Sequence, residues 1–275
     1  MAAVPFVFQR PPARAVPWHR RAPPNPRRTL YNGGPLAPAV PLLSIIVPVF
    51  NEEATVRAVI TRLCEIPLPA PREIIVVNDG STDGTRAVLD ALERRDEVRV
   101  IHAAVNGGKG SAVRLGLREA RGDIVAIQDA DLELDPAQLG HLVAPILRGE
   151  TQVVYGSRFL GGNPDAPWQT IVANRFLTGA TNLLFRARLT DMETCYKVMR
   201  ADVARSLGLA ARRFDIEPEI TAKLLLAGHR ILERPVSFEP RSRRAGKKIG
   251  WRDGVQALQV LARLRVRGSR VRPGT

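Results

Sequence analysis

The stretch IVAIQDADLELDP, residues 124–136, runs from four apolar residues into a series of carboxylates, which indicates a buried strand that ends at the protein surface. Because side chains alternate along a strand, Asp129 and Asp131 point the same way and both can reach one hard cation. Mg²⁺ or Mn²⁺ accepts such carboxylates together with phosphate oxygens and water. The pair therefore predicts half of a metal–diphosphate site. The alternative is an acidic strand-to-helix turn, in which Asp135 caps a helix that has Pro136 at its first position.

Strand and helix patterns alternate on both sides of this stretch. The run LLSIIVPVF at residues 42–50 is continuously apolar and rich in β-branched residues, which is typical of a parallel strand buried on both faces. Repeated βα units predict an α/β, Rossmann-like, doubly wound and mostly parallel sheet in a single domain. Further strands are predicted at 73–77, 98–102, 124–128, 152–155 and 230–238, with strand-like character at 189–200. Helices are predicted at 51–63, 82–94, 110–121, 136–147, 168–185, 214–227 and 251–267.

Polar residues follow these strands, and ligands in such sheets bind beyond the carboxyl ends of the strands. Asp79 is placed to accept hydrogen bonds from a ribose or a base edge, or else it forms a turn before Gly80. Lys109 is assigned to a glycine turn that leads into a helix, with a phosphate contact as the alternative, since the GxxxxGK[ST] pattern is absent. Arg158 is a predicted anion contact. We expect these residues to meet at one edge of the sheet.

The net charge of +14 lies in the two ends of the chain. Residues 1–41 contain six arginines, ten prolines and no acid, which predicts a disordered basic arm. Residues 241–275 carry +10, so the residues between carry −2. A nucleic-acid-binding protein normally has a basic face within its fold. The charge distribution therefore argues against nucleic acid as a partner.

The spacing of the cysteines and the lengths of the apolar runs indicate the cellular compartment of the protein. Cys64 and Cys195 are far apart and form no CxxC spacing, which argues against a disulfide framework or a zinc site. The amino-terminal residues lack the apolar core of a secretory signal peptide, and no run of about eighteen apolar residues occurs. We expect a cytoplasmic protein that is peripherally associated with an anionic membrane surface.

The predicted helix at 251–267 has an apolar side and a basic side, and with the tail it forms a separate segment, 251–275, after a domain at 42–250. Its apolar side comprises Trp251, Val255, Leu258, Leu261 and Leu264. Such a helix either lies in a membrane interface or packs on its own domain with its basic face in solvent. The sequence leaves both alternatives open.

Five motifs carry a resemblance to a known family. They are PVFNEE at 48–53, VVNDGSTDGT at 76–85, NGGKGSAVRLG at 106–116, QDADLELDP at 128–136 and GSR at 156–158. In this order they resemble the inverting, metal-dependent GT-A glycosyltransferases of family 2, in particular the branch of the dolichol-phosphate mannose and glucose synthases. The resemblance covers about residues 42–251. It implies transfer of a hexose from GDP-mannose or UDP-glucose to a polyprenyl or dolichyl phosphate at the cytosolic membrane face, with Mg²⁺ or Mn²⁺ as the cofactor.

The resemblance also implies roles for individual residues. Those matching the nucleotide-sugar site are Pro48, Phe50, Glu52, Asp79, Asp129, Ala130, Asp131, Glu133, Arg158, Arg241 and Lys248. Among them, Asp129 and Asp131 match the DxD pair that binds the metal, and Glu133 matches a position near it. Arg241 and Lys248 resemble cations on a loop that closes over the pyrophosphate.

The acceptor side departs from the family pattern. Arg175, Thr178 and Asn182 resemble a stretch that binds the acceptor phosphate, but Thr178 replaces a serine and Asn174-Arg175 replaces a basic pair. Asp191 matches an acid on the acceptor side. A lipid phosphate has a second pKa near ~6 and needs no strong base. If the acceptor is instead a saccharide or another hydroxyl compound, Asp191 is expected to act as the base.

Overall fold

The computed structural model describes residues 40–162, 166–240 and 251–270, and its centre is a seven-stranded sheet. The strands are β1 (Leu43–Val49), β2 (Arg72–Asn78), β3 (Val98–His102), β4 (Ile124–Ile127), β5 (Val153–Ser157), β6 (Lys197–Arg200) and β7 (Ile231–Pro235). The helices are α1 (Val56–Glu65), α2 (Thr85–Leu92), α3 (Lys109–Glu119), α4 (Leu139–Leu147), α5 (Trp168–Phe185), α6 (Ala201–Ser206), α7 (Ile216–Leu226) and α8 (Trp251–Arg270), with a 3₁₀ turn at Pro136–Gln138.

The strand order is β3-β2-β1-β4-β6-β5-β7. Strand β6 runs antiparallel to both of its neighbours, β4 and β5, whereas the remaining neighbours pair in parallel. The predicted doubly wound, mostly parallel sheet is therefore confirmed. The carboxyl ends of β1, β2 and β4 lie side by side, which brings the residues that follow them to one edge of the sheet.

Burial of β1 on both faces explains its central position. Ile45 packs into the larger core on one face, and Ile46 packs into a second cluster on the other. Both side chains are fully buried. Because each face of β1 removes apolar surface from water, the run LLSIIVPVF forms a strand that helices cover on both sides.

The first helix begins later than its prediction at Asn51. Asn51 adopts a left-handed conformation with φ +52°, and its side-chain oxygen accepts a hydrogen bond of 2.8 Å from the backbone N–H of Thr82. The backbone N–H of Asn51 donates to the Ser81 hydroxyl at 3.0 Å. These local bonds turn the chain at the end of β1, so α1 starts only at Val56.

The predicted strand-like stretch 189–200 forms a strand only at Lys197–Arg200. Before this strand, side chains form the hydrogen bonds to the backbone groups of residues 189–191 that a neighbouring strand would otherwise form. The Asn182 side chain bonds both the N–H and the carbonyl of Leu189, each at 2.8 Å. The Glu233 carboxylate accepts the N–H groups of Thr190 and Asp191. Residues 189–191 are thereby held as an irregular segment beside the sheet.

Helix α8 packs on its own domain, which is the second of the two alternatives that the sequence left open. Ala257 and Leu261 are buried in a cluster with Leu177 and Met192. The Arg265 Nε group donates to the carbonyl oxygen of Leu184 at 2.8 Å, which fastens α8 to α5. No helix within the described ranges combines the length and the apolar content needed to cross a bilayer. Of the predicted basic arm, only residues 40 and 41 belong to the described residues.

Candidate active site

Asp79 lies at the end of β2 and organises the neighbouring loop. Its two carboxylate oxygens accept the backbone N–H groups of Gly107 and Gly108 at 2.9 and 2.7 Å. Gly108 has φ +90°, and a Cβ atom there would lie 2.5 Å from the carbonyl oxygen of Arg212. Only glycine fits this position. Asp79 therefore fixes the loop that starts α3, and its predicted contact with the nucleotide stays a prediction.

The acid pair lies on a turn that is fixed from two sides. Thr55 at the start of α1 has its hydroxyl 2.7 Å from the carbonyl oxygen of Ala130 and 2.9 Å from the carboxylate of the buried Glu52. On the other side, the Tyr196 hydroxyl lies 2.7 Å from Gln128 Oε1 and 2.8 Å from the carbonyl oxygen of Asp135. These contacts hold the backbone of residues 128–135 in place.

Within this turn, the two acids have different surroundings. The Oδ1 atom of Asp131 accepts the backbone N–H of Glu133 at 3.2 Å, and Leu132 between them has φ +63°. Such a conformation is costly for a branched residue and occurs mainly at functional turns. Asp129, by contrast, contacts Lys109, and both of these side chains are partly exposed. The two acids of the strained turn therefore have different partners.

Lys109 is the partner of Asp129. Its Nζ atom lies 2.8 and 3.0 Å from the two carboxylate oxygens of Asp129 and 3.0 Å from Glu217 Oε1. Burial disfavours the charge on Lys109, but the charges of Asp129 and other nearby groups, together with the hydrogen bond to Asp129, outweigh it. The pKa of Lys109 therefore lies well above its usual value. The pKa of Asp129 is lowered because Lys109 more than offsets the effect of burial. Both groups are charged at neutral pH.

The charges continue inward from this pair. Glu217 on α7 also contacts Lys197 on β6, with 2.5 Å between Oε2 and Nζ, and Lys197 donates to the carbonyl oxygen of Met192 at 3.0 Å. Sequence analysis assigned Lys109 mainly to a glycine turn, and it did not select Glu217 or Lys197. A signal was available for Lys197, since it lies within the mainly apolar stretch CYKVM, where a charge requires a partner.

Asp191 and Arg158 form a second buried pair. The guanidinium of Arg158 donates to both oxygens of Asp191 at 2.7 and 2.8 Å, and its backbone N–H adds a third bond of 3.0 Å. Asp191 is fully buried, and Arg158 lies over the Phe238 ring at 5.4 Å. Both oxygens of Asp191 thus already accept hydrogen bonds from Arg158, which fixes the orientation of the guanidinium. The role of Asp191 as a base for a hydroxyl acceptor stays a prediction.

The predicted acceptor-phosphate residues lie on α5. The Thr178 hydroxyl is buried and accepts the backbone N–H of Met192 at 3.1 Å, and Asn182 holds Leu189. Arg175 is exposed and lies over the Phe159 ring at 5.7 Å. Thr178 and Asn182 thus anchor the segment that carries Asp191. Their contact with an acceptor phosphate stays a prediction.

The remaining predicted site residues lie around the same edge. Pro48 and Phe50, at the end of β1, are partly buried. The carbonyl oxygen of Glu133 accepts the backbone N–H of Glu239 at 2.9 Å, which places the chain after β7 beside the acid pair. Arg241 and Lys248 lie outside the described residues. The structure does not bring Asp129, Asp131 and Glu133 together as a preformed metal cluster, and no group of three or more such ligands occurs in its described part.

Glu193 is a buried acid without a hydrogen-bond partner for its Oε1 atom among the described residues. Burial raises its pKa to about 7, although the charge of Lys197 partly offsets this. The folded state therefore loses stability as the pH rises from the unfolded pKa of Glu193 through about 7. We expect Glu193→Gln to raise the free energy of unfolding at pH ~8 by up to about 3 kcal/mol, and by almost nothing below pH ~4.5.

Urea unfolding of both chains across this pH range measures the difference. The matched control is Glu65→Gln, which makes the same change at an exposed position on α1 and is expected to leave the free energy of unfolding unchanged at every pH. A pH-independent effect of Glu193→Gln would contradict the assignment of Glu193 as the titrating group.

A mixed sheet with an acid pair after β4, at the edge where β1 and β2 also end, is the arrangement expected of the GT-A fold. Residues 44–208 match the family model for Glycosyl transferase family 2. The chain belongs to this family.

Relatives and solved structures agree with this assignment. Glycosyltransferase AglD of Haloferax volcanii is 32% identical over 72% of this chain and 33% of its own length, so this chain spans about a third of that relative. The undecaprenyl-phosphate mannosyltransferase of Micrococcus luteus is 29% identical over 78% of this chain and 90% of its own length. The solved glucosyl-3-phosphoglycerate synthase of Mycobacterium tuberculosis, in complex with Mn²⁺, UDP and glucosyl-3-phosphoglycerate, has a TM-score of 0.63, 20% identity and coverage of 85% and 82%. At this identity the last comparison shows the fold alone.

Proposed function

We propose that this chain transfers a hexose from a nucleoside diphosphate sugar to a polyprenyl phosphate. The observation that carries the proposal is the placement of Asp131 on a strained, rigid turn at the carboxyl ends of β1, β2 and β4. Ligands of doubly wound sheets bind at this edge. The likeness to a relative named undecaprenyl-phosphate mannosyltransferase, over most of its length, supports a lipid phosphate as the acceptor.

The carboxylates at this edge fit a divalent cation that is completed by the substrate. Mg²⁺ or Mn²⁺ takes one or two protein carboxylates and obtains its other ligands from phosphates and water. We assign Asp129 and Asp131 as these carboxylates, and Lys109 contacts both oxygens of Asp129. Glu133 lies two residues further on. When bound, the cation supplies neutralisation of the diphosphate leaving group.

Other residues of the chain supply charges to the candidate site and hold its backbone and side chains in place. Lys109 keeps Asp129 ionised, and the Glu52–Thr55 contact holds the backbone of Ala130. Arg158 is oriented by Asp191 near the end of β5. A rigid arrangement of charges that costs no reorganisation during the reaction is usually the largest contribution to catalysis. Glu52, Asp79, Pro48 and Phe50 are proposed contacts of the nucleoside.

The acceptor chemistry separates the proposal from its alternative. A lipid phosphate is largely dianionic at neutral pH and attacks without deprotonation. A saccharide or another hydroxyl acceptor requires a base, and Asp191 is held by three hydrogen bonds from Arg158. His102, the histidine at the end of β3, is itself held by Asn78 and Asp90. The geometry therefore favours the phosphate acceptor.

The test is release of GDP or UDP from a panel of nucleotide sugars, with Mn²⁺ or Mg²⁺ and a short polyprenyl phosphate. We expect release to require both the metal and the lipid phosphate, and the sugar to appear in the lipid extract. The same lipid with a free hydroxyl in place of the phosphate is the matched control and should give no product. Turnover that ignores the lipid phosphate but rises with a saccharide would favour the alternative instead. The panel also distinguishes GDP-mannose from UDP-glucose as the donor.

A further inference from the structure

Helix α5 presents an apolar stripe to solvent, on the side opposite to the one that it buries. Its buried side is formed by Leu177, Thr178 and Thr181. The α5 stripe consists of Trp168, Val172, Phe176 and Leu183, whose exposed fractions are 69%, 56%, 62% and 83%. Their spacing of three to four residues, or multiples of it, places them along one face of the helix. The surface helix of an ordinary soluble protein has polar residues on this face.

The charges within residues 168–188, which include the α5 stripe, have one sign. Residues 168–188 contain Arg175, Arg186 and Arg188 and no acidic residue, although a quarter of the whole chain is charged. All three arginines are exposed. An apolar face with Trp and Phe, flanked by cations, is the combination that binds at the boundary between anionic headgroups and acyl chains.

A second copy of the chain fits the α5 stripe less well. Two-fold contacts bring the same patch of both subunits together, so Arg175 and its neighbours would approach cations of the same kind. Like charges brought together at an interface oppose association. An anionic surface, in contrast, is attracted to every one of the three arginines.

We propose that the α5 stripe is the surface through which this chain docks onto an anionic lipid bilayer. The buried side of the same helix anchors Met192 and Leu189 through Thr178 and Asn182, and Asp191 between them holds Arg158. Docking therefore places the edge of the candidate site about one helix diameter, roughly 10 Å, from the lipid surface. This surface differs from the C-terminal helix that the sequence suggested, since Ala257 and Leu261 in the middle of α8 are buried.

Trp168 provides a direct test. The chain contains three tryptophans, so Trp18→Phe with Trp251→Phe leaves Trp168 as the only one. With vesicles of phosphatidylcholine and phosphatidylglycerol, we expect its emission to shift to shorter wavelength, and acyl chains brominated on the phosphatidylcholine to quench it. Unchanged emission from protein that has pelleted with the vesicles would overturn the proposal, because attachment would then lie elsewhere.

A pair of variants tests the stripe without relying on tryptophan. Phe176→Ser with Leu183→Ser removes two exposed side chains of the stripe, and Val40→Ser with Val105→Ser removes two exposed valines elsewhere as the matched control. We expect the stripe variant to partition onto the mixed vesicles roughly tenfold more weakly than the control, since both keep the same arginine-rich termini. Equal partitioning of the two variants would refute the proposal.

Two further measurements show whether a neutral bilayer or a second copy of the chain binds the α5 stripe instead. Equal binding of the parent chain to vesicles of pure phosphatidylcholine would overturn the assignment of an anionic surface. In sedimentation velocity without vesicles we expect a monomer, and a dimer that the stripe variant dissociates would assign the stripe to a second copy. The vesicles contain neither polyprenyl phosphate nor nucleotide sugar, so these results are independent of the proposed transfer reaction.

Discussion

Asp131→Asn is expected to lower the turnover number for sugar transfer by roughly 100-fold or more while leaving thermal unfolding almost unchanged. Asp131 is partly exposed at the edge of the sheet, and its hydrogen bond from the Glu133 N–H is one that an asparagine oxygen also accepts. The substitution therefore removes the negative charge and retains the turn. Steady-state release of the nucleoside diphosphate and differential scanning calorimetry measure the two effects.

Asp135→Asn is the matched control, because it makes the same change four residues further along the same segment. Asp135 caps the 3₁₀ turn through the Ala137 N–H and is half exposed, so we expect activity close to that of the parent chain. Titration with Mn²⁺ in the presence of GDP or UDP gives a second readout, since Asp131→Asn should weaken metal-dependent nucleotide binding and Asp135→Asn should not. If Asp131→Asn binds metal and nucleotide as the parent does, Asp131 is not the metal ligand.

Lys109→Met is expected to lower the free energy of unfolding by about 2–3 kcal/mol at neutral pH, since it breaks a partly buried ion pair with charged hydrogen bonds. The substitution leaves the Asp129 carboxylate without its cation and removes one of the two lysines that contact Glu217. Since Lys109 lowers the pKa of Asp129, the stability that this pair contributes is present at neutral pH and is lost as the pH falls through the folded pKa of Asp129. The difference between parent and variant should therefore shrink in acid. Urea unfolding at several pH values measures it.

A control variant and a double variant measure the interaction between Lys109 and Asp129. Lys223→Met removes a lysine that contacts Glu219 at 2.8 Å on the same helix, but Glu219 also accepts backbone N–H groups of Ala210 and Ala211, so we expect a loss of about 1 kcal/mol or less. Lys109→Met with Asp129→Asn removes both charges and should recover about 1–3 kcal/mol relative to the sum of the single variants. Strict additivity would show that the two residues do not interact in the folded protein.

The order of the strands along the chain was predictable because each carries its own apolar pattern. Residues 98–102 and 168–185 were placed within their observed limits, as β3 and α5. The direction of β6 was not predictable, since four residues, KVMR, contain nothing that distinguishes a parallel from an antiparallel neighbour. The late start of α1 depended on hydrogen bonds between Asn51 and the 81–82 turn, which lies thirty residues away in sequence.

In the candidate site, too, local features of the sequence were predictable and contacts between distant residues were not. Asp79 and Asp131 were expected at the edge of the sheet because Asp79 directly follows an apolar strand and Asp131 lies shortly after one, which are local properties. The contact between Lys109 and Glu217 was not found, since these two residues are more than a hundred positions apart and meet only in the folded chain. The binding of Asp191 by Arg158 also required the structure, and the role of Asp191 on the acceptor side stays a prediction.

The reversed strand β6 has a consequence for how the protein emerges from the ribosome. In the finished sheet β4 and β5 do not pair with each other, and β6 lies between them. A nascent chain that ends after β5 therefore exposes two unpaired strand edges, which other chains can capture. Synthesis as far as Arg200 closes that gap and delivers Asp191 to Arg158. Lys197 meets Glu217, and β7 pairs with β5, only when the following residues have been made. The sheet and the charged site are thus completed after the gap between β4 and β5 has closed.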